Sequence, residues 1–107
     1  SQDYDWKGFQ WINANDADRS IFSFVRYSAT GRQNLLFVCN FTPVSRPDYR
    51  VGVPKSGNYT LILDETHGSY KTGDQKIVFK AKKSECDGQP YSIAYPLPAY
   101  GTAIFMF

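Results

Sequence analysis

Histidine and cysteine are scarce in this chain, with one His and two Cys in 107 residues. That scarcity removes several kinds of chemistry at once. Cys39 and Cys86 are too few to form a disulfide scaffold, and a domain of this length builds its own core without one. Neither cysteine belongs to a CxxC pair, and only His67 could join a metal site, so no metal is expected. A Cys39–His67 dyad is the one nucleophilic pairing available. Cys39 lies mid-strand in an apolar run, where a free thiol behaves as a small, inert hydrophobe, and His67 sits in the polar loop "ETHGSYKTG". Reduced thiols and a cytoplasmic location follow as expectations.

Charge of one sign is lacking too. Twelve Lys and Arg face ten Asp and Glu, for a net charge of +2, too little for a nucleic-acid surface built as a basic stripe. The basic residues are scattered apart from Lys80, Lys82 and Lys83. Strand alternation places Lys76, Lys80 and Lys82 on a solvated outer face. No apolar run approaches the roughly 20 residues of a membrane span, and no charged-then-apolar leader opens the chain. It begins at Ser1 rather than Met, which reads as a piece excised from a longer protein.

Helical periodicity is missing as well, since no segment keeps apolar residues at i, i+3, i+4 and i+7. What the chain holds instead is a series of short strands between turn signals. "FQWI", "SIFSFVRYS" (20–28), "NLLFVCNFT" (34–42), "YRVGV" (49–53), "NYTLILD" (58–64), "QKIVFKAK" (75–82), "YSIAYPL" (91–97) and "GTAIFMF" (101–107) make about eight. Pro and Gly stand at the breaks, and Val, Ile, Phe and Tyr fill the runs. The segment "ETHGSYKTGD" reads as a loop. "NLLFVCNF" is apolar on both faces and is expected to be central, whereas "QKIVFKAK" turns Ile77, Phe79 and Ala81 inward and keeps one wet face. Two antiparallel sheets packed face to face satisfy that mixture. The expected fold is an all-β antiparallel sandwich over residues 8–107, with 1–7 as a linker.

Paired carboxylates for glycoside chemistry are not found either. Asp64 and Glu65 are strand neighbours whose side chains diverge, and Asp16 and Asp18 read as turn-capping residues. "NANDADRS" lacks the glycine and the closing Glu of a calcium loop. "NFT" (40–42) and "NYT" (58–60) match the glycosylation acceptor pattern, and both read as chance. No glycine-rich phosphate loop is present, and no cofactor is expected.

Aromatics are plentiful, with eight Tyr, eight Phe and two Trp making 17% of the chain. Trp6, Phe9 and Trp11 cluster near the start, and Phe9 and Trp11 share one face of a strand. Such a strip packs against protein, or it stacks on sugar rings. Trp6, Phe9, Trp11, Tyr70 and Tyr100 are the candidate binding residues under either reading. No catalytic residue is identified.

Three stretches taken in order carry a resemblance: "GFQWINANDADRSIFSFVR", "LLFVCNFTPVSRPDYRVGVPKSGNY" and "DGQPYSIAYPLPAYG". Together they resemble the C-terminal domain of bacterial-type 1,4-α-glucan (glycogen) branching enzymes of the α-amylase superfamily. The likeness runs from Gly8 to Phe107, and "CNFTPV" followed by "YRVGVP" is its most specific part. The family's usual acidic "WID" is replaced here by Trp11-Ile12-Asn13, and its glycine-rich insertion near "SYKTGDQ" is shorter, so no role tied to either feature is carried over.

The resemblance implies an eight-stranded antiparallel sandwich with Greek-key connections, packed against a catalytic (β/α)8 barrel that lies before Ser1. It implies that the Asp nucleophile and Glu acid/base of a glycosyltransferase of glycogen biosynthesis sit in that barrel, so this piece is non-catalytic. The partner it implies is that barrel, with α-glucan as a further candidate ligand and neither nucleic acid nor membrane.

Overall fold

A computed structural model of the chain describes residues 6–13, 20–30, 32–66 and 69–107, and at 6, 7, 13, 66 and 69–76 it describes the backbone alone. The described residues form eight strands: β1 (Trp6–Asn13), β2 (Ile21–Ser28), β3 (Leu35–Asn40), β4 (Arg46–Val53), β5 (Asn58–Thr66), β6 (Ser69–Lys80), β7 (Tyr91–Leu97) and β8 (Gly101–Met106). No helix occurs among the described residues. Six strands build one sheet in the order β1-β2-β3-β8-β5-β6, and β4 pairs with β7 in a second sheet. Every pairing is antiparallel. The chain leaves the large sheet after β3 and again after β6, and β8 returns between β3 and β5. The all-β sandwich expected from the sequence is the architecture found.

The two sheets close on one core. Val51 and Val53 of β4 and Ile93, Tyr95 and Leu97 of β7 meet Ile21, Val25, Leu36, Val38, Tyr59, Ala103 and Phe105 of the large sheet, all buried. Each fully buried side chain of this size contributes roughly 1.5–3 kcal/mol relative to exposure. Phe79, Tyr95 and Phe105 form a mutual edge-to-face triad, with centroids 5.1–5.6 Å apart. That is the arrangement aromatic quadrupoles favour.

Two glycines act where the chain needs them. Between Cys86 and Gln89, Asp87 (φ 53°) and Gly88 (φ 76°) make a tight reversal with both central residues in the left-handed region, the turn that Asp-Gly favours. That hairpin lies directly on Gly52, where an added Cβ would fall on the Cys86 carbonyl oxygen. The Gly52 amide donates to Asp87 Oδ2 at 3.1 Å.

Two details depart from the sequence reading. The stretch read as the loop "ETHGSYKTGD" is mostly strand: β5 runs on to Thr66 and β6 starts at Ser69, because a long antiparallel ribbon pairs polar backbone that a loop would leave to water. Ile77 does not enter the core beside Phe79 and Ala81 but is 47% exposed. It sits on the edge strand β6, beyond what the narrow two-stranded sheet covers.

Candidate functional site

The large sheet has two faces, and only one of them faces the core. Strand alternation sends Ile21, Ser23 and Val25 inward from β2, and Phe22, Phe24 and Arg26 outward. From β3, Leu36, Val38 and Asn40 go in, while Leu35, Phe37 and Cys39 go out. From β8, Ala103 and Phe105 go in, while Thr102, Ile104 and Met106 go out. An antiparallel sheet with one wet face would carry polar residues on that outer side. Here it carries phenylalanines.

The registers join them into a row. Trp11 lies opposite Phe24, Phe24 opposite Phe37, Phe37 opposite Ile104, and Ile104 opposite Leu63. Five strands thus contribute one apolar residue each to a continuous band. Leu63 takes its place because a β-bulge between Leu61 and Leu63 reverses the side-chain phase, so Leu61 is buried in the core while Leu63 reaches the other face. Beside this row runs another, with Phe9 opposite Arg26, Arg26 opposite Leu35, and Leu35 opposite Met106.

The rings on this face touch one another. Phe24 and Phe37 are stacked, with centroids 4.7 Å apart and planes 6° from parallel. Trp11 meets Phe24 at 5.3 Å and Phe9 at 5.3 Å, both edge-on. Phe9 reaches Phe24 at 5.0 Å, and Arg26 places its guanidinium carbon 6.0 Å from the Phe9 ring centroid. Phe22 continues the cluster from Trp11 to Phe41, which is 5.9 Å from it. Phe9, Trp11 and Phe41 remain about half exposed or more, at 48%, 50% and 59%.

Of the residues singled out by sequence, Phe9 and Trp11 are brought together on this face. Tyr100 stands at the end of the sandwich, 48% exposed. The backbone of Trp6 lies in β1 opposite Ser28, and that of Tyr70 in β6 opposite Glu65; their side chains fall outside the description. His67, Asp16 and Asp18 lie outside the described residues. Phe22, Phe24, Phe37, Phe41, Leu63 and Ile104 were not singled out. For Phe37 and Phe41 the signal is the apolar character of "NLLFVCNF" on both faces, which reads as centrality in the sheet and equally as a second apolar face.

Neither cysteine has the surroundings of a nucleophile. Burial pushes the Cys39 thiol up, against a lowering hydrogen bond with Thr102. Burial also pushes Cys86 up, and the adjacent Asp87 carboxylate adds to this. Asp64 lies opposite Ala103 and Glu65 opposite Thr102, so the two carboxylates point to different faces of the sheet. No group of three His, Cys, Asp or Glu side chains gathers among the described residues.

The fold is a small all-β sandwich with a second apolar face on its large sheet. The chain belongs to the alpha amylase, C-terminal all-beta domain family, whose model matches residues 11–107. It is similar to the 1,4-alpha-glucan branching enzyme GlgB of Butyrivibrio fibrisolvens, at 46% identity over 98% of this chain and 17% of that protein. It is likewise similar to the enzyme of that name from Francisella philomiragia subsp. philomiragia, at 60% identity over 73% of this chain and 15% of the relative. With 1,4-alpha-glucan branching enzyme GlgB 1 of Clostridium perfringens the identity is 36%, over 96% of this chain and 16% of the relative. The chain thus spans only 15–17% of the length of these curated relatives.

Proposed function

We propose that this chain is the non-catalytic C-terminal accessory domain of a 1,4-α-glucan branching enzyme, seated by the outer face of its large sheet on the catalytic barrel of the same parent chain. The row Trp11–Phe24–Phe37–Ile104–Leu63 carries this reading, because five strands each spend an outward position on an apolar side chain. An exposed apolar patch on that scale marks an interaction site, and contacts between domains of one chain typically bury about 600–1,500 Å². The length of the relatives supports a neighbour within the same chain, since more than four-fifths of it lies outside the matched region.

On this reading the parent cleaves an α-1,4 glucan chain and re-attaches the piece through an α-1,6 bond with carboxylates of the barrel. The present domain stabilises that barrel and shapes which chains are transferred. The barrel would precede β1, which begins at Trp6 and so takes in the last two residues of the expected 1–7 linker, and two free thiols fit a reducing cytoplasm.

The exposure of Trp11 and Tyr100 favours a second reading, an independent α-glucan-binding module. Against it, Trp11 does not stand alone as a platform but is one member of an apolar row that crosses five strands, in contact with Phe9 and Phe24. Trp11→Asp in the full-length enzyme separates the two readings. Docking predicts that the cooperative melt splits into two transitions and that branching activity falls. An unchanged melt with weakened maltoheptaose binding would overturn docking and support the module.

A further inference from the structure

Asn40 is completely buried, yet its carboxamide serves none of the core. Its nitrogen donates to the carbonyls of Val44 and Pro98, each at 3.0 Å. Its oxygen accepts from the Thr42 amide at 3.0 Å and from the Thr42 hydroxyl at 2.7 Å. Asn40 thus ties the β3–β4 connection to the β7–β8 connection, and the Tyr100 amide adds a bond to the Thr42 carbonyl at 2.9 Å. Four hydrogen bonds from one buried side chain make this end of the sandwich rigid.

What that rigidity presents is apolar. Phe41 is 59% exposed, Val44 51% and Tyr100 48%. Tyr100 is held at φ 53°, where a bulky side chain is strained. An ordinary solvent turn would place Gly or Asn there, and polar residues on either side. The polar groups of Asn40 and Thr42 are instead turned inward on the loops themselves, so the large side chains left exposed at the tip are Phe41, Val44 and Tyr100. The tip is also continuous with the aromatic face, through the Phe41–Phe22 contact.

We infer that Asn40 is a positioning residue, and that the tip it holds—Phe41, Val44 and Tyr100—is the rim of the docking surface, in contact with the catalytic domain of the parent chain. This rests on the docking reading above and extends it around the end of the sandwich. A tip that is already ordered loses less conformational freedom on contact, so less of the gain from burying its apolar area is offset.

The test uses the full-length enzyme and maleimide labelling mapped by peptide mass, with single cysteines introduced as Val44→Cys at the tip, Phe9→Cys on the face and Ala94→Cys on the exposed side of β7. The expected result is that Val44→Cys reacts at least about tenfold more slowly than Ala94→Cys, as protection through local opening requires. Adding Tyr100→Gly should restore labelling at position 44 without lowering the melting temperature, because glycine relieves the strained φ. Asn40→Asp should restore it too, although Asn40 itself touches nothing outside the domain. If Val44→Cys reacts as fast as Ala94→Cys while Phe9→Cys stays slow, the rim inference falls and docking stands. If both react fast, docking falls and takes the rim with it. If position 44 is shielded only on adding maltoheptaose, the tip is a sugar contact and the inference is overturned.

Discussion

Phe24 and Phe37 lie ring on ring, with centroids 4.7 Å apart and planes 6° from parallel, on the side of the sheet that the core does not use. Stacked rings facing water are costly for a lone domain and useful for one with a neighbour. Residues 8–107 expressed alone are therefore expected to self-associate through this face. Trp11→Lys and Phe41→Lys, both at exposed positions, should shift the population toward monomer in sedimentation velocity. A monomeric parent fragment, unaffected by either change, would contradict the exposed-face account.

The closeness of Gly52 to the 86–89 hairpin leads to a second expectation. A Cβ at position 52 would collide with the backbone of Cys86, and backbone cannot move aside as a flexible side chain can. Gly52→Ala should cost about 1–3 kcal/mol, read as a lower midpoint in urea with little change of slope. An unshifted midpoint would mean that the hairpin does not rest on β4.

Phe105 is the centre of the aromatic triad and fully buried. Phe105→Ala should destabilise by about 3–5 kcal/mol, enough to consume most of the stability of a small domain. Phe37→Ala on the outer face should cost much less in the isolated domain than in the full-length enzyme. The contrast between those two contexts is the measurement, and equal costs would argue that the outer face has no partner.

Alkali should unfold this domain through buried phenols. Burial pushes Tyr59 up to about 12, and Tyr95 likewise to about 12. Both groups are favoured as neutral phenols in the fold, so their contribution is fully present below the unfolded value of 10.0 and is lost as pH rises toward about 12. Stability should hold to the lower limit of that window and fall across it, with phenolate absorbance rising together with loss of near-UV dichroism. Tyr59 also donates to the Lys55 carbonyl at 2.8 Å, so Tyr59→Phe should lower neutral-pH stability by about 1 kcal/mol and make the alkaline decline shallower. Phenolate appearing well before unfolding would contradict the buried placement.

The strands were written in local pattern. Alternation in "YSIAYPL" and "SIFSFVRYS", breaks at Pro and Gly, and the want of any helical period set the all-β class, and the span from Tyr91 to Leu97 matches β7 residue for residue. The pairing of Phe9 with Trp11 on one face was legible for the same reason, since a strand's two-residue period is a local property. The Asp87-Gly88 reversal is equally local, since an Asp-Gly pair is itself a hairpin signal.

Position across the sheet is not local. That Trp11, Phe24, Phe37, Ile104 and Leu63 form one row depends on four registers and a bulge, and a one-residue slip in any of them would turn a strand's apolar set to the other side. The burial of Asn40 was equally hidden, because "NFT" shows an ordinary polar residue until Val44 and Pro98 are folded against it. The chain's own letters determined strands and their two faces. Only packing decided which face two sheets would share, and so which apolar face stayed on the outside.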